Sequence, residues 1–181
     1  MHIKMQEAEV SIHVALYYLR NQLTDKDVHI SIDGAHIKTK ETVHFEIESF
    51  LDNNSAKKIN VAEKSWQGEY IINGIKPKLV ISSKPGVGDV RIHLTNEKVL
   101  YIESKKGDTN KKGLEYKLIR EAIGQLMTGF EFNENVIPAV AVPYTDKSYD
   151  LAKRWSNYSQ IKLAGIQFIL VKNDSSIFIV K

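Results

Sequence analysis

The 181-residue chain contains no cysteine. That excludes disulfide scaffolds, cysteine-ligated zinc, iron–sulfur ligation and thiol nucleophiles, and leaves only oxygen or imidazole to hold any metal. Long apolar runs are also missing: a stretch such as IQFILV at 166–171 is far too short to span a bilayer. The amino terminus, MHIKMQEAEV, places charge where a secretory signal needs an apolar core, so a cytoplasmic setting without membrane association is expected. The six histidines, at 2, 13, 29, 36, 44 and 93, show no metal-ligand spacing such as H-E-x-x-H and read as strand, helix and surface residues. Gly86-Val-Gly88 has Arg91 where a dinucleotide fingerprint needs its third glycine, and no Walker lysine follows, so no nucleotide cofactor is expected. Ser82 and Ser83 lack the glycines of a nucleophile elbow.

What is present suits one globular domain. Hydrophobic residues make up 43% of the chain and charged residues 26%, with a net charge of only +3. Apolar spacing predicts a first helix over 4–23 and a strand over 28–32 that ends at Asp33-Gly34, with a second hairpin strand after it. Residues 41–54 read as a helix, and 53–64 as an exposed connection. Strands follow at 69–72, 78–82, 89–94 and 99–105, read as a meander of antiparallel neighbours. A helix over 114–129 carries one broad apolar stripe. A strand at 139–142, a helix over 147–163 and strands at 166–171 and 176–180 complete the order. The fold class is therefore α/β, with a mixed sheet covered by helices. Trp66, Trp155, Tyr17 and Tyr18 read as core or helix-packing residues.

The chemistry concentrates between Pro85 and Gly107. On the strand over 99–105 the period of two puts Glu103 and Lys105 on one face, with Ser104 pointing away. Asp89 opens the preceding strand. It meets Glu103 if Leu94 faces Lys98 across a three-residue loop, whereas a two- or four-residue loop would need a bulge, for which Gly86 and Gly88 are available. Two carboxylates at about 4 Å repel by about 4 kcal/mol at an effective dielectric near 20, which a hard divalent cation offsets. The Ser104 carbonyl is a natural further ligand, and Lys105 is placed to orient an attacking water or stabilise charge growing on phosphorus oxygens.

These residues, Asp89 and then Glu103-Ser104-Lys105, resemble the PD-(D/E)XK nuclease superfamily, which includes restriction endonucleases and junction resolvases. Gly88 stands where the family's proline precedes the aspartate. The resemblance implies a restriction endonuclease-like αβββαβ core, over about residues 41–142, between an N-terminal helix and hairpin extension (1–40) and a C-terminal αββ unit (143–181). It also implies Mg²⁺, with Mn²⁺ as a substitute, held by Asp89 and Glu103 while Lys105 assists water attack on DNA. Some members carry a glutamine on the helix after the lysine strand, and Gln125 fits that place, although Gly129 stands where exonuclease-type members have a tyrosine. A further acid often comes from the helix before the meander: Glu48 and Glu46 rank ahead of Glu7 and Glu9.

Charge distribution points the same way. From Lys98 to Arg120 there are seven basic residues against three acidic ones, so Lys106, Lys111, Lys112, Lys117 and Arg120 are candidate phosphate contacts, with Lys38, Lys40, Lys57 and Lys58 extending the surface. The expected function is a metal-dependent DNA endonuclease, restriction-type or junction-resolving, acting as a homodimer if both strands are cut. The alternative is a non-catalytic nuclease-like domain that binds nucleic acid or protein.

Overall fold

The computed structural model describes residues 4–59, 65–84, 88–111 and 113–181. Its helices are α1 (Glu7–Arg20), α2 (Gly34–Ile37), α3 (Ile47–Asn53), α4 (Leu114–Gly129), α5 (Asp146–Trp155) and α6 (Ser159–Ala164). Its strands are β1 (Lys4–Met5), β2 (Val28–Ser31), β3 (Lys38–Thr39), β4 (Thr42–Val43), β5 (Ala56–Lys58), β6 (Gly68–Ile72), β7 (Ile75–Ser82), β8 (Val90–His93), β9 (Val99–Ser104), β10 (Gly107–Asp108), β11 (Val136–Pro143), β12 (Gln167–Val171) and β13 (Ile177–Val180).

Nine strands form one mixed sheet in the order β13-β12-β11-β9-β8-β2-β7-β6-β5. The helices lie in two layers around it. α1 and α3 pack on one face through Ile12, Leu16, Leu19 and Leu51, against Leu79, Ile81, Ile92, Leu100 and Ile102. α4 and α5 pack on the other through Ile119, Leu126, Leu151 and Trp155, against Val140, Val142, Phe168 and Leu170. β11 and β12 are covered on both faces: Ala139, Ala141, Ile169 and Val171 belong to the first cluster and the residues between them to the second. That explains their almost continuous apolar sequence. No helix among the described residues is long and apolar enough to cross a membrane.

The strands over 68–104 form much as their alternation implies, and α4 spans 114–129 as expected. Four expectations need correction. The strand at 28–32 has no hairpin partner after it. Asp33 instead caps α2, its carboxylate accepting from the Ala35 amide at 2.9 Å, and the short β3–β4 ladder follows. β2 inserts between β7, to which it is parallel, and β8, so the meander is interrupted. Residues 4–40 supply the buried helix α1 and a central strand. The exposed connection contains the edge strand β5, and residues 60–64 lie outside the described residues. Finally, the helix expected over 147–163 is two helices. The Ser156 hydroxyl and the Asn157 amide both donate to the Lys153 carbonyl, at 3.2 and 2.8 Å, and such side-chain bonds compete with helical continuation.

Candidate functional site

The sheet directs several chain ends to one edge. β2 and β7 run parallel with Ser31 opposite Ser82, so both end there, while antiparallel β8 begins there and β9 ends there. The residues at that edge line a cleft of about 510 Å³: Ser31, Ile32 and Asp33 after β2, Ser83 and Lys84 after β7, Gly88 and Asp89 before β8, Glu103 on β9, and Gln125 from α4 above. The cleft thus brings together Asp89, Glu103 and Gln125 from three separate elements.

The β8–β9 register is the one that their meeting requires. His93 faces Val99 and Val90 faces Ile102, the Leu94 amide donates to the Lys98 carbonyl at 2.8 Å, and Thr95 to Glu97 make a three-residue loop. Glu97 takes a left-handed φ of 68° at the loop's end. At the other end of β8 the Asp89 amide donates to the Ile102 carbonyl at 2.8 Å, although Val90 is the residue registered opposite Ile102. The ladder thus ends irregularly at the start of β8, the Asp89 amide bonding to Ile102 where the register would set Glu103 opposite it. Gly88 permits it: its φ is +72°, and a Cβ there would lie 2.9 Å from the Ile102 carbonyl oxygen. The Asp89 carbonyl accepts from the Ser31 amide at 2.8 Å, and its Oδ2 accepts from the Ser104 amide at 2.7 Å. The aspartate is therefore fixed to both neighbouring strands.

Burial is the main cause that raises the Asp89 carboxyl to about 6, with Glu7's negative charge adding to the rise and the Ser104 amide opposing it. Glu103 rises to about 7, first through burial and then through the charge of Asp89, with Lys105 opposing. Lys105 follows β9 and is only 5% exposed. Its amine does not line the cleft but lies behind it, 3.4 Å from Glu121 Oε1 on α4 and 3.9 Å from Glu7 Oε2 on α1. Glu7 is itself raised, chiefly by burial, against the lowering pull of Lys105 and Lys106. Glu7 and Glu121 therefore pair with one buried amine, whose charge also bears on Asp89 and Glu103.

The further acid is a correction. Glu46 and Glu48 are exposed, and Glu48's charge bears on Tyr70, not on the cleft. Glu7 takes the place assigned to them. It lines a small hollow together with Asp33, His36 and Asp89, next to the cleft. What delivers it is the two-residue ladder of β1 with β10, in which Met5 faces Gly107 and Lys4 faces Asp108. This clamps the start of α1 to the segment just after Lys105. Strands that short leave no periodicity in a sequence. Glu121 was readable as lying four residues before Gln125 on the same helix. His36 goes beyond a plain surface role: its Nδ1 is 3.5 Å from Glu7 Oε1.

Among the basic candidates, Lys106, Lys111, Lys117 and Arg120 are exposed, and Lys112 lies outside the described residues, as does Gly86. Lys106 lines a hollow with Glu7 and His36 beside the cleft. Lys57 and Lys58 sit on β5, the far edge of the sheet, with β6, β7 and β2 between them and β8. Lys84, unforeseen, lies in the cleft itself.

Among the described residues no three His, Asp or Glu side chains form a group able to hold a metal ion by themselves. Three carboxylates line the cleft, and with that of Asp33 taken up in accepting from the Ala35 amide, those of Asp89 and Glu103 suit Mg²⁺ completed by a carbonyl, water and substrate phosphate oxygens. No protein-family model matches the chain, and no curated protein and no solved structure matches it either.

Proposed function

We propose that the chain is a Mg²⁺-dependent DNA endonuclease of the PD-(D/E)XK type. One observation carries the reading: the β8–β9 register and the left-handed turn at Gly88 gather Asp89 and Glu103 in a cleft beneath Gln125, with the charge of Lys105 bearing on both. Asp89 and Glu103, with the Ser104 carbonyl, would hold the ion, with Mn²⁺ as a substitute, and the ion would supply Lewis-acid stabilisation of a phosphodiester and an acidified water. The protein's own part is positional and electrostatic. The Ser104 amide holds the Asp89 carboxylate in one orientation. Glu7 and Glu121 hold the Lys105 amine in place, where it counters the negative charge that grows on the phosphoryl oxygens as water attacks phosphorus and the P–O bond breaks. Gln125 offers an amide to the substrate or to water from the α4 side. Lys84 and Lys106 flank this region with positive charge, and Lys111, Lys112, Lys117 and Arg120 extend the set of candidate phosphate contacts. Cutting both strands of a duplex calls for a second copy of the chain, so the working unit in this reading is a homodimer.

The test is incubation of supercoiled plasmid, linear duplex and branched DNA with the purified protein in Mg²⁺, Mn²⁺ or EDTA. Cleavage is expected only with a divalent ion, and Asp89→Asn, Glu103→Gln and Lys105→Ala should each lower it at least a hundredfold while keeping a cooperative thermal transition. Full activity in any of them removes that residue from the mechanism.

A second reading, a non-catalytic domain that binds nucleic acid or protein, is favoured by the enclosure of Lys105 between two carboxylates and outside the cleft lining. DNA binding that persists while no ion supports cleavage of any of those substrates would select it.

A further inference from the structure

A second concavity lies on another side of α4. Tyr116, Arg120 and Ile123 follow one another at four- and three-residue spacing and so form one stripe of the helix. Arg154 and Trp155 at the end of α5, and Tyr158 in the turn before α6, face that stripe across a groove of about 460 Å³. Trp155 is the floor: it is buried in the core and meets the Tyr116 ring edge-on, with centroids 5.4 Å apart. Tyr116 and Tyr158 are the walls and stay 42% and 49% exposed. The Arg120 guanidinium stands 5.4 Å from the centroid of the Tyr116 ring. No acidic side chain lines the groove, and among the described residues no carboxylate pairs with Arg120 or Arg154.

This combination selects a ligand chemistry. Two unpaired guanidinium groups disfavour a cationic occupant, and an apolar segment laid here would bury them without partners. A planar ring that carries phosphate satisfies every element: the phenol rings stack on the base, and the guanidinium forks take the phosphate oxygens. Position adds to this. Lys117, Glu121 and Gln125 form the adjacent stripe of α4, where Gln125 lines the cleft and Glu121 pairs with Lys105. Tyr116 and Arg120 each precede a member of that stripe by one residue, so cleft and groove occupy neighbouring sides of a helix about 10–12 Å across. A strand leaving the cleft over the exposed Lys117 reaches the groove within a few nucleotides.

We propose that the groove is a binding site for single-stranded nucleic acid, which stacks a base on Tyr116 and Tyr158 and seats its phosphates on Arg120 and Arg154. The substrate of the cleft is then one with an unpaired segment. That last clause rests on the nuclease reading; binding in the groove does not.

The test is fluorescence anisotropy of a labelled 12-nucleotide oligo-dT with the full chain in EDTA. Wild type is expected to bind, and more tightly than it binds a duplex of the same length. Arg154→Ala and Tyr158→Ala should each weaken binding roughly tenfold, and Arg154→Ala should also flatten the salt dependence by about 0.7 in the log–log slope. Both positions are exposed, and Arg154→Gln serves as a second variant should the alanine lower the melting temperature. Cleavage with Mg²⁺ is read separately. Groove binding without any cleavage defeats the nuclease reading and leaves the groove. Unchanged oligo-dT binding in all these variants, or no binding by wild type, overturns the groove whether or not DNA is cut. A dimer in light scattering that Tyr158→Ala dissociates without change in oligo-dT binding assigns the groove to a second copy and overturns it too.

Discussion

Burial raises Asp89 to about 6 and Glu103 to about 7, so this pair gains its second negative charge only near neutrality. Both values stand above those of the unfolded chain, so the folded form binds more protons in between. Stability from these groups is full below about pH 4 and is lost as the pH rises through 6 and 7. Asp89→Asn keeps the side-chain shape and removes the charge. It is therefore expected to melt about 2–6 °C above wild type at pH 8, with the gap closing near pH 4; thermal denaturation across that range checks it, and a difference that does not change with pH counts against the assignment. The correction at Glu7 is testable at this scale too. Glu7→Gln withdraws one of the two carboxylates that hold Lys105 and should lower DNA cleavage at least tenfold, whereas Glu46→Gln and Glu48→Gln should stay within twofold of wild type. The types of the candidate site residues were legible because Glu103 and Lys105 stand two apart on a strand and Asp89 opens the one before. Glu7 was not legible as their neighbour, since its placement depends on a two-residue ladder with no sequence pattern of its own.

At the scale of elements, the hairpin of β8 and β9 was the most legible feature. Alternation set the faces, while the register stayed conditional on a three-residue loop, and Leu94 does bond to Lys98 across three residues. The irregularity at Gly88 was legible only as an option, through the glycine itself. Gly88→Ala forces a Cβ to within 2.9 Å of a backbone carbonyl oxygen at a φ of +72°. It should destabilise the fold by about 1–3 kcal/mol in urea unfolding and abolish cleavage with it, because the Asp89 carboxylate loses its bond to the Ser104 amide. A Gly88→Ala protein with native stability and activity would show that the turn at Gly88 does not position the aspartate. Helix ends were less legible where side chains decide them: nothing in the apolar spacing over 147–163 marks the break that Ser156 and Asn157 make by bonding to Lys153.

For the whole molecule, composition and element order led to a mixed sheet between helical layers, and that is what forms. The strand order was not legible. The alternation of Val28 to Ser31 is the same whether that strand pairs locally or inserts between β7 and β8, and long-range parallel pairing leaves no local mark. The insertion matters for function, because Ser31, Ile32 and Asp33 then form one wall of the cleft and the Ser31 amide anchors Asp89. The central claim is that this edge of the sheet holds one divalent ion between Asp89 and Glu103. Counting Mn²⁺ bound per chain by electron paramagnetic resonance at pH 8 tests it most directly. About one ion per wild-type chain is expected, lost in both Asp89→Asn and Glu103→Gln; equal binding in wild type and both variants, or none in wild type, would contradict it.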